Sequence, residues 1–251
     1  MRVRDSIGLN LSPLILRVML GITFIWAGAG KFLMEMQYSP EQTAALANLG
    51  AIEVAPDIQP LAPVAAPDGT PASQDQARYL PEQFPQGVRK QSLFMIALLL
   101  DAAAHPAFND DGVEPKPLWP AQLAQGKWPV SLAYAVAATE LIAGLLMIFG
   151  LFTRLGALGL VGVMLGAIWL TQIGPAIQSG NTQFGFLPDW GAFQTNSAGE
   201  SVWFTLLFQC SLLASAAAVL LLGAGAVSID RVIFGGPRKS SRSEAGGEAH
   251  N

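Results

Sequence analysis

Long apolar runs alternate with polar connections along the chain. Four of these runs, at residues 11–35, 130–152, 155–177 and 202–224, are long enough to cross a bilayer as helices, because about 20 apolar residues span the hydrocarbon core. Residues 1–36 hold the N-terminal segment and the first span, and 129–235 hold the other three. The pattern predicts an all-α membrane protein, a four-transmembrane-helix bundle.

A long insertion, residues 37–128, separates the first predicted span from the second. Ser39, followed by proline and, three residues on, by glutamine, is a helix-start signature that predicts a short helix at about 40–49. A proline-rich linker is predicted at 56–85 and a second helix at 89–104. The apolar part of that second helix is too short to span a bilayer. It is expected to pack on the bundle or to lie at the membrane interface.

Small and charged residues share single faces of the predicted spans. The spacing of three and four residues that marks one helical stripe connects, in span one, Arg17, Gly21, Phe24, Gly28, Lys31 and Glu35. The same spacing connects Ala133, Ala137, Glu140 and Gly144 in span two, and Gly159, Gly162, Gly166 and Trp169 in span three. Glycines on a stripe allow another helix to approach closely. These faces are therefore predicted to turn toward protein and away from lipid.

Three ionisable residues within the spans form the candidate site: Arg17, Lys31 and Glu140. A charge at membrane depth is costly, so such residues pair with one another and mark functional sites by default. Glu140 is expected to face the stripe of span one and to pair with at least one of the two cations. Arg17 is the preferred partner, because its planar fork suits a carboxylate.

Composition limits the classes of function. Hydrophobic residues make up 51% of the chain and charged residues only 13%, with a mean hydropathy of +0.41, whereas soluble domains carry about 25% charged residues. The net charge of −4 and the absence of a basic run argue against nucleic-acid binding. Cys210 is the only cysteine, which excludes an internal disulfide, and it is predicted to be a small buried apolar residue. His105 is predicted to be an ordinary helix-end residue, and no metal site is expected.

Basic residues predict the orientation, since they favour the cytoplasmic side of short connections. They precede span one, lie between spans two and three, and follow span four: Arg2, Arg4, Arg154, Arg231, Arg238, Lys239 and Arg242. Both termini are thus predicted to be cytoplasmic, with a disordered tail at 236–251, and the insertion extracytoplasmic, in the inner (cell) membrane. Arg154 and Asp230 would emerge at the same face and are predicted to pair. A cleaved signal peptide is disfavoured because Arg17 would interrupt its apolar core.

Three sequence motifs resemble those of the DoxX family of small four-helix membrane proteins. They are RVMLGITFIWAGAGKF in span one, ELIAGLLMIFGLFTR in span two and LGAGAVSIDRV after span four. The matching residues are Arg17, Gly21, Gly28 and Lys31, then Glu140, Gly144, Gly150 and Arg154, and finally Gly223, Gly225, Ser228 and Asp230. The resemblance implies a four-helix fold and association with quinone- or thiol-linked redox proteins. The insertion is much longer than the loop usual in that family.

Three functions remain open. The chain could be a non-catalytic accessory subunit of a membrane complex linked to quinone or thiol redox chemistry, with quinone as the candidate cofactor at Arg17, Lys31 and Glu140. It could instead transport a small molecule or an ion, with Glu140 as the titrating group. In the third interpretation, the charged residues are structural pairs in a scaffold that presents the insertion to protein partners. In each case the bilayer is a partner, and the chain is not expected to be an enzyme on its own.

Overall fold

Four helices of the protein are long and apolar enough to cross a membrane. The computed structural model describes residues 3–61, 78–106, 115–189, 202–223, 225 and 228–234. Within that part of the chain the candidate spans are Leu11–Leu33, Trp128–Phe149, Thr153–Gln178 and Trp203–Leu222. The predicted fold class, a helical membrane protein with four spans, is confirmed. The predicted tail at 236–251 lies outside the described residues.

Eight helices and four short strands make up the described chain. In order they are α1 (Val3–Leu33), β1 (Glu35–Tyr38), α2 (Pro40–Asn48), β2 (Val88–Gln91), α3 (Phe94–Ala104), α4 (Trp128–Phe149), α5 (Thr153–Ile168), α6 (Gly174–Gln178), β3 (Thr182–Gln183), β4 (Leu187–Pro188), α7 (Val202–Leu222) and α8 (Ile229–Phe234). Short 3₁₀ turns at Pro81–Gln83 and Ala121–Ala124 and a π-helical turn at Trp169–Ile173 complete the path.

The four long helices close into a ring. Helix α1 packs on α4, α4 on α5, α5 on α7, and α7 returns to α1. Their shared core is apolar and includes Leu20, Phe24, Met147, Leu160 and Val219. The insertion and the loop between β3 and β4 lie at one end of this ring, the insertion end. The α4–α5 turn and α8 lie at the other, the tail end.

Glycines bring the backbones of α1 and α4 into direct contact. A Cβ added at Gly28 would lie 2.7 Å from the backbone nitrogen of Leu141, and one at Gly144 would lie 2.8 Å from the backbone nitrogen of Ile25. A Cβ at Gly21 would lie 2.9 Å from the carbonyl oxygen of Gly144. All three distances are shorter than any Cβ tolerates, so these positions accept only glycine at the present helix separation.

The insertion packs directly onto the bundle. Strand β1 follows α1 after a single residue and pairs antiparallel with β2, with Glu35 opposite Gln91. One apolar core joins the two parts, because Ala133 and Ala137 of α4 pack with insertion residues that include Tyr38, Leu46, Leu49, Leu93 and Phe94. Helix α3 also reaches the third span, where Leu100 and Ala103 contact Leu170. The short apolar helix therefore lies against the bundle.

Helix α2 ends at Asn48, where a helix at about 40–49 was predicted, and its Ser39 cap and Gln42 form the expected capping box. The second predicted helix, 89–104, was wrong at its start. Residues Val88–Gln91 form β2, and α3 begins only at Phe94. The pairing with β1, 53 residues earlier, overrides the local helical pattern of this stretch. Of the proline-rich linker, residues 62–77 lie outside the described residues.

Two expectations about buried faces were wrong. Gly162 and Gly166 have the spacing of a close helix contact, yet a Cβ on either would meet no other atom within 4 Å. Their face of α5 is open, so the spacing alone did not identify the contact. Cys210 is exposed on α7, on a helix with much of its apolar surface turned outward. A single cysteine in an apolar run is as compatible with a lipid-facing surface as with a core.

The glycine contact can be tested with a matched pair of substitutions. Gly28→Ala should force α1 and α4 apart and lower the free energy of unfolding by about 1–3 kcal/mol, the usual cost of overpacking. Gly162→Ala adds the same methyl group to open space and should leave stability unchanged. Unfolding of the detergent-solubilised protein by denaturing detergent measures both. Equal losses in the two variants would contradict the contact.

Candidate functional site

Two of the three candidate residues meet at the insertion end. Lys31 Nζ lies 2.5 Å from Glu140 Oε2, and the side chains are 25% and 6% exposed, respectively. The pairing of Glu140 with one of the two cations is confirmed. The pairing follows from the glycine contact. Gly28 holds the α1 backbone against Leu141, and this places Lys31, one turn after Gly28, beside Glu140, the residue before Leu141.

The ion pair lies directly below the insertion. The carbonyl oxygen of Lys31 accepts a hydrogen bond from the backbone N–H of Leu93, at 3.2 Å, and that of Met34 accepts one from Ser92, at 2.9 Å. On α4, Ala137 lies one turn before Glu140 and is part of the core shared with the insertion. The pair therefore fastens α1 to α4 at the point where the insertion joins both.

Arg17 is not part of this pair. It lies 14 residues before Lys31, about 21 Å away along α1 at 1.5 Å per residue, and only 1% of it is exposed. A Cβ on Gly150 would lie 2.7 Å from Arg17 Nη1, so the guanidinium lies against the α4–α5 turn. Asp230 is the acidic group that interacts with it electrostatically. The prediction that Arg17 is the preferred partner of Glu140 was wrong, and the three residues do not form one cluster.

Asp230 caps a helix that lies far from it in sequence. Its carboxylate accepts the backbone N–H groups of Phe152, at 2.7 Å, and Thr153, at 2.9 Å. Its own N–H donates to the carbonyl oxygen of Gly150, at 2.9 Å. The first N–H groups of a helix have no partner within the helix, and a carboxylate also suits the positive end of the helix dipole. Asp230 therefore supplies the N-terminal cap that α5 lacks locally.

The predicted ion pair between Arg154 and Asp230 was wrong. Both residues lie at the tail end, but no ion pair within 4 Å joins them among the described residues. The guanidinium of Arg154 instead lies beside Gly223, whose added Cβ would be 3.3 Å from Arg154 Nε. A signal for the true arrangement was present in the sequence. Asp230 is an acidic residue that follows a glycine-rich stretch at the same end of the bundle as the start of α5.

An open cleft of about 890 Å³ lies on the insertion. Helix α2, residues 78–81, the end of α3 and residues 124–126 line it. Its ionisable side chains are Glu41, Arg78, Asp101 and His105. His105 is at the C-terminal end of α3, as predicted, with Nδ1 3.1 Å from Asp101 Oδ1. Among the described residues, no group of three or more His, Cys, Asp or Glu could hold a metal ion.

Removing the Asp230 cap should loosen the tail end. Asp230→Ala leaves two helix N–H groups without their acceptor, so the free energy of unfolding should fall by about 1 kcal/mol, the typical value of a cap. Asp230→Asn retains one acceptor oxygen and should lose less. The measurement is detergent-induced unfolding, and the contrary result is a stability equal to that of the wild type in both variants.

The cap should also depend on pH. Burial opposes ionisation of Asp230, but the N–H donors of Thr153 and Phe152 outweigh it and hold the pKa below its usual value of 3.8. Stability from a lowered pKa is present above the unfolded pKa and is lost as the pH falls through the folded one. The difference between the wild type and Asp230→Asn should therefore be constant near neutral pH and shrink below about pH 4.

Comparison with known proteins identifies one segment of the chain. Residues 112–173 match the model of the DoxX family, a segment shorter than half of the chain that contains α4, α5 and the turn between them. No curated protein and no solved structure matches the chain. The matched segment includes Glu140 and the α4–α5 turn, whereas Lys31 and Asp230, their partners, lie outside it. The resemblance to the DoxX family seen in the sequence motifs is thus confirmed for residues 112–173, which contain the motif of span two, in a chain with four candidate membrane spans.

Proposed function

We propose that the chain is a non-catalytic accessory subunit of a membrane complex, in which the four-helix bundle holds the insertion in place for a protein partner. The observation that carries the proposal is the apolar core shared by α4 and the insertion. A loop that only connected two spans would need no such core. A surface that must contact a partner at a fixed height above the bilayer would need such a core.

Several independent contacts immobilise the insertion. Strand β1 follows α1, and the backbone N–H groups of Leu93 and Ser92 donate to Lys31, in the last turn of that helix, and to Met34, just after it. The end of α3 packs on Leu170 of the third span. Preorganisation of this kind lowers the entropic cost of binding. In this proposal the insertion faces the extracytoplasmic side of the inner membrane, in line with the basic residues at the other end of the spans.

The cleft on the insertion is the candidate contact surface for the partner. It combines two carboxylates, Glu41 and Asp101, with Arg78 and His105 around an open depression. Two of its lining residues are held together, since the side-chain amide of Asn48 both donates to and accepts from the backbone of Tyr79. Polar and charged groups arranged in a preformed depression can select a complementary partner surface.

A charge reversal in the cleft tests this function. The full-length chain is purified from its own membranes in mild detergent, and its co-isolated subunits are quantified by native mass spectrometry. Arg78→Glu should weaken retention of the partner at least tenfold, as expected when about 1.4 kcal/mol of binding is lost. The matched control is Arg89→Glu, at an exposed arginine of the insertion outside the cleft. It gives up an exposed ion pair with Glu35, which contributes about 0–1 kcal/mol, and should retain the partner. A wild-type chain isolated alone, or equal retention in both variants, would contradict the proposal.

The Lys31–Glu140 pair, in which the carboxylate is buried, favours a second candidate function. An ionisable pair at membrane depth is a default site for proton-linked chemistry. It could bind a quinone head group for a redox complex or act as the titrating group of a transporter. In the accessory-subunit proposal the same pair is structural, because it joins α1 to α4 below the insertion.

Substitution of the pair separates these functions. Lys31→Met leaves the buried carboxylate of Glu140 without its cation, so stability should fall by about 3 kcal/mol. The double variant Lys31→Met with Glu140→Gln removes both charges and should recover most of that loss. Unfolding in detergent measures stability, and partner retention is measured on the same samples. For a structural pair, the stable double variant keeps its partner and shows no change in bound quinone or in liposome flux.

Loss of quinone binding or of flux in that double variant would instead establish the second function. The distinction depends on the protein remaining folded, which the unfolding experiment verifies independently.

A further inference from the structure

The hairpin after the third span has a turn that does not suit its sequence. Strands β3 and β4 pair antiparallel with Gln183 opposite Leu187. Phe184 and Gly185 occupy the turn with φ of +55° and +79°, and the N–H of Phe186 donates to the carbonyl oxygen of Gln183 at 3.3 Å. Positive φ at both central residues is the pattern of a type I′ turn, in which Asn-Gly or Gly-Gly is strongly preferred. Here the first central position is a phenylalanine.

Phe184 is unfavourable for the fold in two ways. A non-glycine residue other than Asn or Asp in the left-handed region is strained. The side chain is also 86% exposed, and that of Phe186 is 52% exposed. Both rings thus leave much of their apolar surface uncovered by the part of the chain that the structure describes. The two rings therefore suit a surface outside this polypeptide.

The position of the hairpin indicates what that surface is. It begins four residues after the third candidate span, Thr153–Gln178, ends. Strand β4 packs back against both α6 and the π-helical turn, which form the last part of that span. Pro188 is buried there, and the N–H of Asp189 closes the base of the hairpin onto Asn181 at 2.8 Å. The tip is thus held beside the end of a candidate membrane helix.

We propose that Phe184 and Phe186 form an aromatic wedge that inserts into the boundary between lipid head groups and acyl chains. Aromatic side chains are enriched at this depth, and apolar side chains on an interfacial segment bind there in proportion to the area they bury. No lysine or arginine occurs in residues 179–189, and Asp189 is the only charged residue. The contact is therefore apolar, and it does not depend on anionic lipids.

The wedge gives the third span a second anchor. Trp169, on the π-helical turn, is itself tied to the insertion, since its indole N–H donates to the carbonyl oxygen of Leu118 at 3.0 Å. Strand β4 of the hairpin, which follows this turn in the sequence, packs on the same turn. Insertion of the two rings into lipid would fix the depth of this end of the bundle relative to the membrane surface.

Site-directed spin labelling of the full chain in lipid nanodiscs tests the proposal. All variants are built on Cys210→Ala, which removes the only cysteine. A label at Phe184→Cys should be several-fold more accessible to oxygen, relative to a water-soluble nickel complex, than a label at Asp57→Cys on the exposed insertion surface. Leu207→Cys, on an outward-facing position of α7 that is 60% exposed, gives the value for the hydrocarbon region. The result should be the same in zwitterionic nanodiscs and in nanodiscs that contain anionic lipid.

A second variant separates the wedge from the fold of the hairpin. Phe184→Asn places a preferred residue in the turn, so thermal stability in detergent should be unchanged or higher. A label at Phe186→Cys in that variant should lose much of its oxygen accessibility, because the wedge is incomplete.

Three results would overturn the proposal: accessibility at position 184 equal to that at 57, shielding from both reagents, or lipid contact only in anionic nanodiscs. The first places the tip in water, the second places it against protein, and the third makes the contact electrostatic.

Discussion

The direct backbone contact between α1 and α4 is the constraint on which the other features depend. Gly21, Gly28 and Gly144 leave no room for a side chain at the crossing, so the two helices have one permitted register. A slip by one turn would bring side chains into the contact. This register sets Lys31 beside Glu140 at one end and Arg17 beside the α4–α5 turn at the other. The polar groups thus occupy positions that apolar packing has already fixed.

The sequence predicted the helices better than their relative heights. The length of the apolar runs predicted the four spans, and the spacing of three and four residues along α1 correctly indicated that Lys31 faces protein. The choice of Arg17 as the partner of Glu140 rested on the shape of the guanidinium and failed because that shape says nothing about the relative heights of the two helices. In the structure α4 begins beyond the end of α1 and packs there on the insertion. Register was set by glycine contacts, which the spacing of residues on one helix does not reveal.

The remaining differences come from contacts between distant parts of the chain. Asp230 lies 77 residues from the amide of Thr153 that it caps, and no local pattern connects them. The strand Val88–Gln91 exists only because Glu35–Tyr38 is beside it. The open face around Gly162 shows the converse, since small residues permit close packing but do not cause it. In each case the contact depends on a partner in another element, so the sequence of one segment alone could not predict it.

The cap on α5 has a consequence for biogenesis. The amides of Phe152 and Thr153 emerge from the ribosome long before Asp230, and the first N–H groups of a helix have no partner within the helix. Until the fourth span has been inserted, this end of the α4–α5 hairpin must rely on water or lipid head groups for its hydrogen bonds. Completion of the bundle is therefore a late event. Only when Asp230 arrives does its carboxylate accept the N–H groups of Phe152 and Thr153 and so stabilise the α4–α5 hairpin, which was made earlier.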